Sequence, residues 1–221
     1  MRKNRATYFI LGLAITGIAL YYLFRDKVSK VGRQVVFQAN REAEKFETFT
    51  ENSPEVGAII NQYWCDGVDI CNFSDNQVIS EGFNEEYPWS AAFVSWVMKA
   101  SGAENFPADA SHSNYIIETT INREADPKAD FTAWDISEQK PQPADIVCRK
   151  RGGSIGDDTI EYGNVPSGTP LHCDIVTRVG KNSIEAVGGN LSNKVKKVTI
   201  SLDEEGYVNE PNYFVIIKNR A

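Results

Sequence analysis

The stretch Pro88-Trp89-Ser90-Ala91-Ala92-Phe93-Val94-Ser95-Trp96-Val97 decides the fold of this chain. It predicts a loop that enters a buried helix, because apolar residues occupy nearly every side of the helix axis. The Ser90 hydroxyl then lies in the first helical turn. About eighty residues later, Leu171-His172-Cys173-Asp174-Ile175-Val176 predicts a strand that begins with a histidine. A nucleophile at a helix N-terminus that faces a base on a strand is the arrangement of many acyl-transfer enzymes.

The surrounding pattern predicts helices before residue 141 and strands after it. Ser53-Pro54-Glu55 supplies an N-cap, a proline at the first helical position and an early acid, so a helix should run to about Tyr63 or Trp64. Further helices are expected at 90–101, stopped by Gly102, and at 113–122. The β-type runs are 145–150, 172–179, 183–187, 195–200 and 213–218. Helices followed by a run of antiparallel strands are typical of an α+β fold.

The charge of the chain is unevenly distributed. Residues 1–46 hold nine Lys/Arg and three Asp/Glu, a net charge of +6, and the other 175 residues carry −13. An acidic main body argues against nucleic acid as a partner, because phosphate contacts need a basic surface.

The N-terminal region predicts a membrane anchor. Residues 6–24 form an uncharged run of 19 residues between basic flanks, which is about the length of a transmembrane helix. A cleaved secretory signal is the alternative, but the run ends in bulky Tyr21-Tyr22-Leu23-Phe24 without a small-residue cleavage site. We expect a cytoplasmic tail at 1–5, an anchor at 6–24, a helical stalk at 25–52 and a periplasmic domain at 53–221. The predicted localisation is the inner membrane, with a single pass.

The four cysteines predict two disulfides. Cys65 and Cys71 flank a polar turn, and Cys148 and Cys173 lie on runs expected to form neighbouring strands. Disulfides suit an oxidising compartment such as the periplasm, whereas four buried thiols are the alternative. No zinc site is predicted, because the two histidines lack companion ligands at a suitable spacing. We expect no metal and no organic cofactor.

Several motifs resemble the NlpC-type and CHAP-type cell-wall hydrolases. The similar segments are Trp89-Ser90-Ala91-Ala92-Phe93-Val94, Pro141-Gln142-Pro143-Ala144-Asp145-Ile146-Val147, His172-Cys173-Asp174-Ile175-Val176 and Glu185-Ala186-Val187-Gly188-Gly189-Asn190. More closely, residues 53–218 look like a bacterial family of unknown function within that superfamily, in which the nucleophile helix also reads Trp-Ser-Ala-Ala-Phe. The resemblance implies a papain-like α+β fold, with the nucleophile at the N-terminus of a central helix.

Ser90 departs from the hydrolase pattern, which has cysteine at this position. A cysteine can be held as a thiolate beside an imidazolium, whereas a serine must lose its proton to a general base during attack. Three interpretations stay open. Ser90 is a working nucleophile, the chain is a non-catalytic relative that keeps a binding cleft, or a serine was introduced in place of a natural cysteine.

The other candidate site residues follow from the resemblance and from local pattern. His172 is the expected base, and Asn190 or Glu185 is expected to orient it. Asp174 lies two residues from His172 on the same face of the strand, so it is a third candidate to orient the ring. The simpler interpretation of Asp174 is a solvated carboxylate.

Two further residues are expected to contact substrate. Trp89 would form a wall of the cleft, unless it packs in the core. His112 would lie at the edge of the cleft, unless it only hydrogen-bonds locally at a helix start.

These observations predict a membrane-anchored periplasmic hydrolase that cleaves an amide bond in peptidoglycan peptide, with Ser90 as nucleophile and His172 as general base. The alternative is a catalytically inactive papain-like module that binds the cell wall or an envelope protein partner.

Overall fold

The computed structural model describes residues 28–151 and 159–221. Their α-helices are α1 (Lys30–Lys45), α2 (Gly57–Gln62), α3 (Asp75–Val78), α4 (Phe83–Glu86), α5 (Ser90–Ala100) and α6 (His112–Ala125). A 3-10 turn at Pro54–Val56 precedes α2, and a π-helical turn at Tyr63–Gly67 follows it. The strands are β1 (Phe131–Asp135), β2 (Ile146–Lys150), β3 (Leu171–Val179), β4 (Ser183–Gly188), β5 (Lys196–Ser201) and β6 (Tyr213–Asn219).

The six strands form one antiparallel sheet in the order β1-β6-β2-β3-β4-β5. Successive side chains of a strand point to opposite faces. Ile146, Ile175 and Ile217 therefore join the main core with the helices, whereas Val147 and Val176 belong to a smaller apolar cluster on the other face.

The five strands predicted from sequence are confirmed within one residue of their predicted bounds. Strand β1 was not predicted. Its sequence, Phe-Thr-Ala-Trp-Asp, includes residues of low β propensity, and it pairs only with β6, about eighty residues further along the chain.

Helix α5 is the centre of the main core. Nine of its 11 residues are buried, as the apolar pattern on every side of the helix predicts. The helix ends before Gly102, which has a φ of +83°, a backbone conformation that glycine adopts without strain.

The segment predicted as a stalk contains helix α1, which packs on the core. Its first turn is capped by the Ser29 hydroxyl, which accepts a hydrogen bond from the Gly32 amide at 2.8 Å. Val35 and Ala39 are fully buried. Glu42 is also buried, and it accepts a hydrogen bond of 2.6 Å from the Tyr63 hydroxyl.

The predicted fold class, a papain-like domain preceded by a transmembrane helix, is wrong. The fold is α+β, with six helices and a six-stranded antiparallel sheet in the described residues. No helix in 28–151 or 159–221 is long and apolar enough to cross a membrane. The most apolar long helix, α5, has 11 residues and rises about 16 Å, about half of a hydrocarbon core.

The predicted localisation, a single-pass inner-membrane protein with a periplasmic C-terminal domain, is corrected on the same finding. The tail predicted at 1–5 and the anchor predicted at 6–24 lie outside the described residues.

Both predicted disulfides are confirmed. Cys65 is bonded to Cys71, and Cys148 to Cys173. The second bond joins directly opposed residues of β2 and β3.

Candidate functional site

Ser90 is the first residue of helix α5 and is 1% exposed. The N–H groups in the first turn of a helix have no partner within the helix, and they carry the positive end of the helix dipole. The side chain of the N-cap residue, Trp89, does not cap these groups. Ser90 and Ala91 both line a pocket of about 170 Å³. The hydroxyl and the helix N-terminus therefore meet at one small pocket.

The Ser90 hydroxyl is hydrogen-bonded to His112, not to His172. Ser90 Oγ lies 2.7 Å from His112 Nε2. On the other side of the ring, His112 Nδ1 is hydrogen-bonded to the Tyr115 hydroxyl. In the tautomer with its proton on Nδ1, the ring donates to Tyr115 and Nε2 accepts from Ser90. That arrangement is the one a general base needs, because Nε2 holds a free lone pair toward the serine proton.

Burial holds His112 in its neutral form. The ring is 4% exposed. Burial, followed by the positive fields of His172, Arg151 and Arg149, holds the pKa of His112 well below 6.5. His112 is therefore unprotonated at neutral pH and able to accept a proton.

His172 belongs to a second polar network beside the first. Its Nε2 lies 2.9 Å from Asp174 Oδ1, and Asp174 Oδ2 accepts a hydrogen bond of 3.1 Å from the Tyr213 hydroxyl. The ring centroids of His172 and His112 are 5.5 Å apart. A Cβ atom at Gly188 would overlap Asp174 Oδ1 and lie 2.9 Å from His172 Nε2. Only glycine at position 188 leaves room for this network.

The two residues predicted to orient His172 lie in different places. Asn190 has a φ of +54° and lines a pocket together with His172, while the ring's hydrogen bond goes to Asp174. Glu185 forms an ion pair with Arg178 on the exposed part of the sheet. The carboxylate that contacts the His172 ring is Asp174. The sequence favoured Asn190 or Glu185 for this contact, with Asp174 interpreted as a solvated carboxylate.

Trp89 is packed in the core. It is fully buried, stacks between Phe46 and Tyr63, and donates from its indole N–H to Glu51 at 2.9 Å. His112 was expected at the edge of the cleft, and it lies at the centre as the hydrogen-bond partner of Ser90.

The residues just before β3 line the pocket at Ser90. Gly168, Thr169 and Pro170 line the pocket from this side. The connection is fixed to the start of α6, because the Gly168 amide donates to Ser113 Oγ at 3.0 Å. It therefore shapes the entrance to Ser90.

A larger pocket of about 490 Å³ adjoins the first, since Pro88 and Arg151 line both. It also contains His172, Arg149 and Asn190. Sequence reasoning missed Tyr115, Tyr213 and the two arginines. Tyr115 follows His112 by three residues on a helix, which places both side chains on one face, and this spacing was a usable signal.

Among residues 28–151 and 159–221, no group of three or more His, Cys, Asp or Glu side chains is placed to hold a metal ion. The absence of a cofactor stays a prediction.

The fold and the site define a class: an α+β protein with a serine–histidine pair at the N-terminus of its central buried helix. Residues 60–220 match a family described as uncharacterized proteins conserved in bacteria (DUF2272). The match covers more than half of the 221 residues, and the chain belongs to this family. No curated protein and no solved structure matches the chain.

Proposed function

We propose that this protein is a serine-dependent hydrolase, with Ser90 as nucleophile and His112 as general base. The observation that carries the proposal is the 2.7 Å contact between Ser90 Oγ and His112 Nε2 beside a pocket at a helix N-terminus. A nucleophile, a base within hydrogen-bond reach and a third group that orients the base are the parts an activated serine needs. Tyr115 takes the orienting role.

The first half of the reaction forms an acyl-enzyme. Ser90 Oγ attacks the substrate carbonyl carbon while its proton passes to His112 Nε2, and the carbonyl oxygen becomes an oxyanion. Backbone N–H groups in the first turn of α5 donate to that oxyanion. The intermediate collapses, the bond to the leaving group breaks, and His112 returns the proton to the leaving amine.

The second half of the reaction repeats these steps with water as the nucleophile. His112 Nε2 takes a proton from a water molecule, the hydroxide attacks the acyl carbon, and Ser90 leaves with the proton. The net reaction consumes one water, cleaves one amide bond and regenerates the serine.

The substrate class rests on the resemblance to cell-wall hydrolases and not on the geometry. It is an amide bond in peptidoglycan peptide. His172, which the resemblance offered as base, takes a different role here: it lines the adjoining pocket and contacts the substrate from there.

A binding module without catalysis is the second candidate function, and burial favours it. Ser90 and His112 are 1% and 4% exposed, so a substrate carbonyl reaches Ser90 Oγ only through the small pocket. In this alternative, the Ser90–His112 hydrogen bond only stabilises the start of α5, and the adjoining pocket binds the cell wall or an envelope protein.

Hydrolysis of purified peptidoglycan separates the two candidates. The full-length protein should release peptide fragments that mass spectrometry detects, and Ser90→Ala should release none. Ser101→Ala is the matched control, because Ser101 lies at the other end of the same helix and its buried hydroxyl has no hydrogen-bond partner among the described residues. Equal release by wild type and Ser90→Ala would reject Ser90 as the nucleophile, and no release by either would reject peptidoglycan as the substrate.

A further inference from the structure

Glu51 is a buried carboxylate in the connection between α1 and α2, before the residues 60–220 that match the family. It is 7% exposed. Its Oε2 accepts a hydrogen bond of 2.9 Å from the Trp89 indole N–H. Burial raises the pKa of Glu51, whereas hydrogen bonds from Trp89 and Asn84 act in the opposite direction. Without these donors, the buried carboxylate would bear an uncompensated desolvation cost.

Trp89 connects Glu51 to the candidate nucleophile. Trp89 directly precedes Ser90 and is the N-cap residue of helix α5. Its ring is fully buried between Phe46 and Tyr63, and its single donor, the indole N–H, is bonded to Glu51. Because Trp89 and Ser90 share a peptide bond, a shift of the indole would change where the Ser90 hydroxyl lies.

The backbone of Glu51 contacts a second part of the site, the loop 190–193 between β4 and β5. The Glu51 N–H donates to the Asn193 carbonyl at 2.7 Å, and residues 190–192 line the adjoining pocket of about 490 Å³. Asn190, Ser192 and Asn193 have φ values of +54°, +51° and +64°. Residues with a side chain seldom adopt this conformation, so contacts from the surrounding structure must hold it. The Glu51 N–H supplies one of these contacts.

The Glu51 carboxylate also contacts the wall of the same pocket. Asn84, in α4, is hydrogen-bonded to this carboxylate and lines the pocket. Glu51 therefore joins three parts of the site that are distant in sequence, since Trp89 alone is 38 residues away.

We propose that Glu51 is a positioning residue, which holds the start of α5 and the loop 190–193 in fixed relative positions. The effect on reactivity rests on the proposed hydrolase function, whereas the effect on structure does not. Glu51 acts through Trp89 and Asn193 and takes no part in bond making. Misplacing a reacting group by about 1 Å can cost about 10²-fold in rate, so a small movement of Trp89 is enough for a measurable effect.

The rate at which a small fluorophosphonate modifies Ser90 in the full-length protein measures this effect. Glu51→Ala should lower the rate by about tenfold or more, because the Trp89 indole loses its acceptor. Glu51→Gln keeps a side-chain oxygen that accepts from the indole N–H, so it should restore most of the rate. Glu55→Ala is the matched control, because Glu55 is an exposed carboxylate in the same connection, and it should react at the wild-type rate. Equal rates in wild type and Glu51→Ala, or equal losses in Glu51→Ala and Glu51→Gln, would overturn the proposal.

Two further variants separate positioning from general stability. Trp89→Phe keeps an aromatic ring but removes the indole N–H, and it should slow labelling as Glu51→Ala does. If Glu51→Ala does not fold, unchanged labelling in Trp89→Phe overturns the proposal by itself. Val35→Ala removes buried methyl groups from α1, so it should destabilise the protein and still react at the wild-type rate while folded. A comparable slowing in Val35→Ala would overturn the role of the Glu51 contact.

Hydrogen–deuterium exchange, followed by mass spectrometry, tests the positioning without any reaction at Ser90. Glu51→Ala should raise the exchange of peptides that cover 89–94 and 189–194, and Glu55→Ala should leave both unchanged. Unchanged exchange of either peptide in Glu51→Ala would overturn the proposal. Raised exchange of both, in a protein whose wild type is not labelled at Ser90, rejects the hydrolase and keeps the positioning role. Labelling of Ser90 that is equally fast in wild type and Glu51→Ala rejects the positioning role and keeps the hydrolase.

Discussion

The two histidines of this chain lie 5.5 Å apart, between ring centroids, in different hydrogen-bond networks. His112 is bonded to Ser90 and Tyr115, and His172 to Asp174. In the proposed reaction, the base is the histidine whose Nε2 contacts the serine, because proton transfer requires hydrogen-bond reach. His172, held by a carboxylate, is suited to contact substrate in the adjoining pocket.

The two roles predict different kinetics for matched substitutions. His112→Gln should lower kcat by about 10²–10⁴-fold, the usual contribution of a general base. His172→Gln keeps the Ser90–His112 contact and should mainly raise KM. A large loss of kcat in His172→Gln with a mild effect in His112→Gln would instead make His172 the base.

The pH profile of the wild type gives an independent check of the same assignment. A general base must be unprotonated, so activity falls on the acid side as His112 gains a proton. Because burial and nearby cations lower the pKa of His112, the acid limb of kcat/KM should lie below pH 6.5. An acid limb at or above pH 6.5 would argue against His112.

At the level of elements, the site depends on the pairing of β2 with β3. The Cys148–Cys173 bond crosses this pair one residue before Arg149 on β2 and one residue after His172 on β3. The bond therefore holds together two strands that carry pocket residues. It also lowers the conformational entropy of the unfolded chain.

Removing this disulfide should destabilise the protein. The bond spans 25 residues, and replacing both cysteines by serine should lower the free energy of unfolding by about 3 kcal/mol. The same change at Cys65 and Cys71, which are six residues apart, should cost about 2 kcal/mol. Urea denaturation measures both. Unchanged midpoints would show that the bonds contribute little, and alkylation of four thiols without prior reduction would show that they do not form.

Much of the element pattern could be predicted from the sequence. Local apolar periodicity predicts the central helix and five strands, and the expected closeness of the cysteines predicts their pairing. Strand β1 could not be predicted in this way, because its pairing with β6 depends on residues distant in sequence.

The partner of Ser90 could not be predicted for a similar reason. The sequence places His112 at the start of a helix and His172 at the start of a strand. Which ring reaches the serine depends on how α6 and β3 pack around α5, and no local pattern records that packing. Arg149 was missed because a charged residue on a strand is more often solvated than part of a pocket.

At the scale of the whole molecule, the sheet and the helices both contribute side chains to the site. The sheet supplies Arg149 and His172, and the helices supply Ser90 and His112. Residues 168–170, just before β3, line the pocket at Ser90. Helix α1 packs on the same core, so the described chain positions the site as one unit. We expect an activated serine in such a site to react with electrophiles that do not modify ordinary surface serines.

Covalent labelling of Ser90 tests the central claim most directly. The full-length protein is incubated with a small fluorophosphonate, and the modified residue is located by peptide mass spectrometry. We predict an adduct on Ser90, lost in Ser90→Ala, kept in Ser101→Ala and formed much more slowly in His112→Gln. A folded protein that gains no adduct at Ser90, or gains it equally fast in His112→Gln, would contradict the assignment of Ser90 and His112 as nucleophile and base.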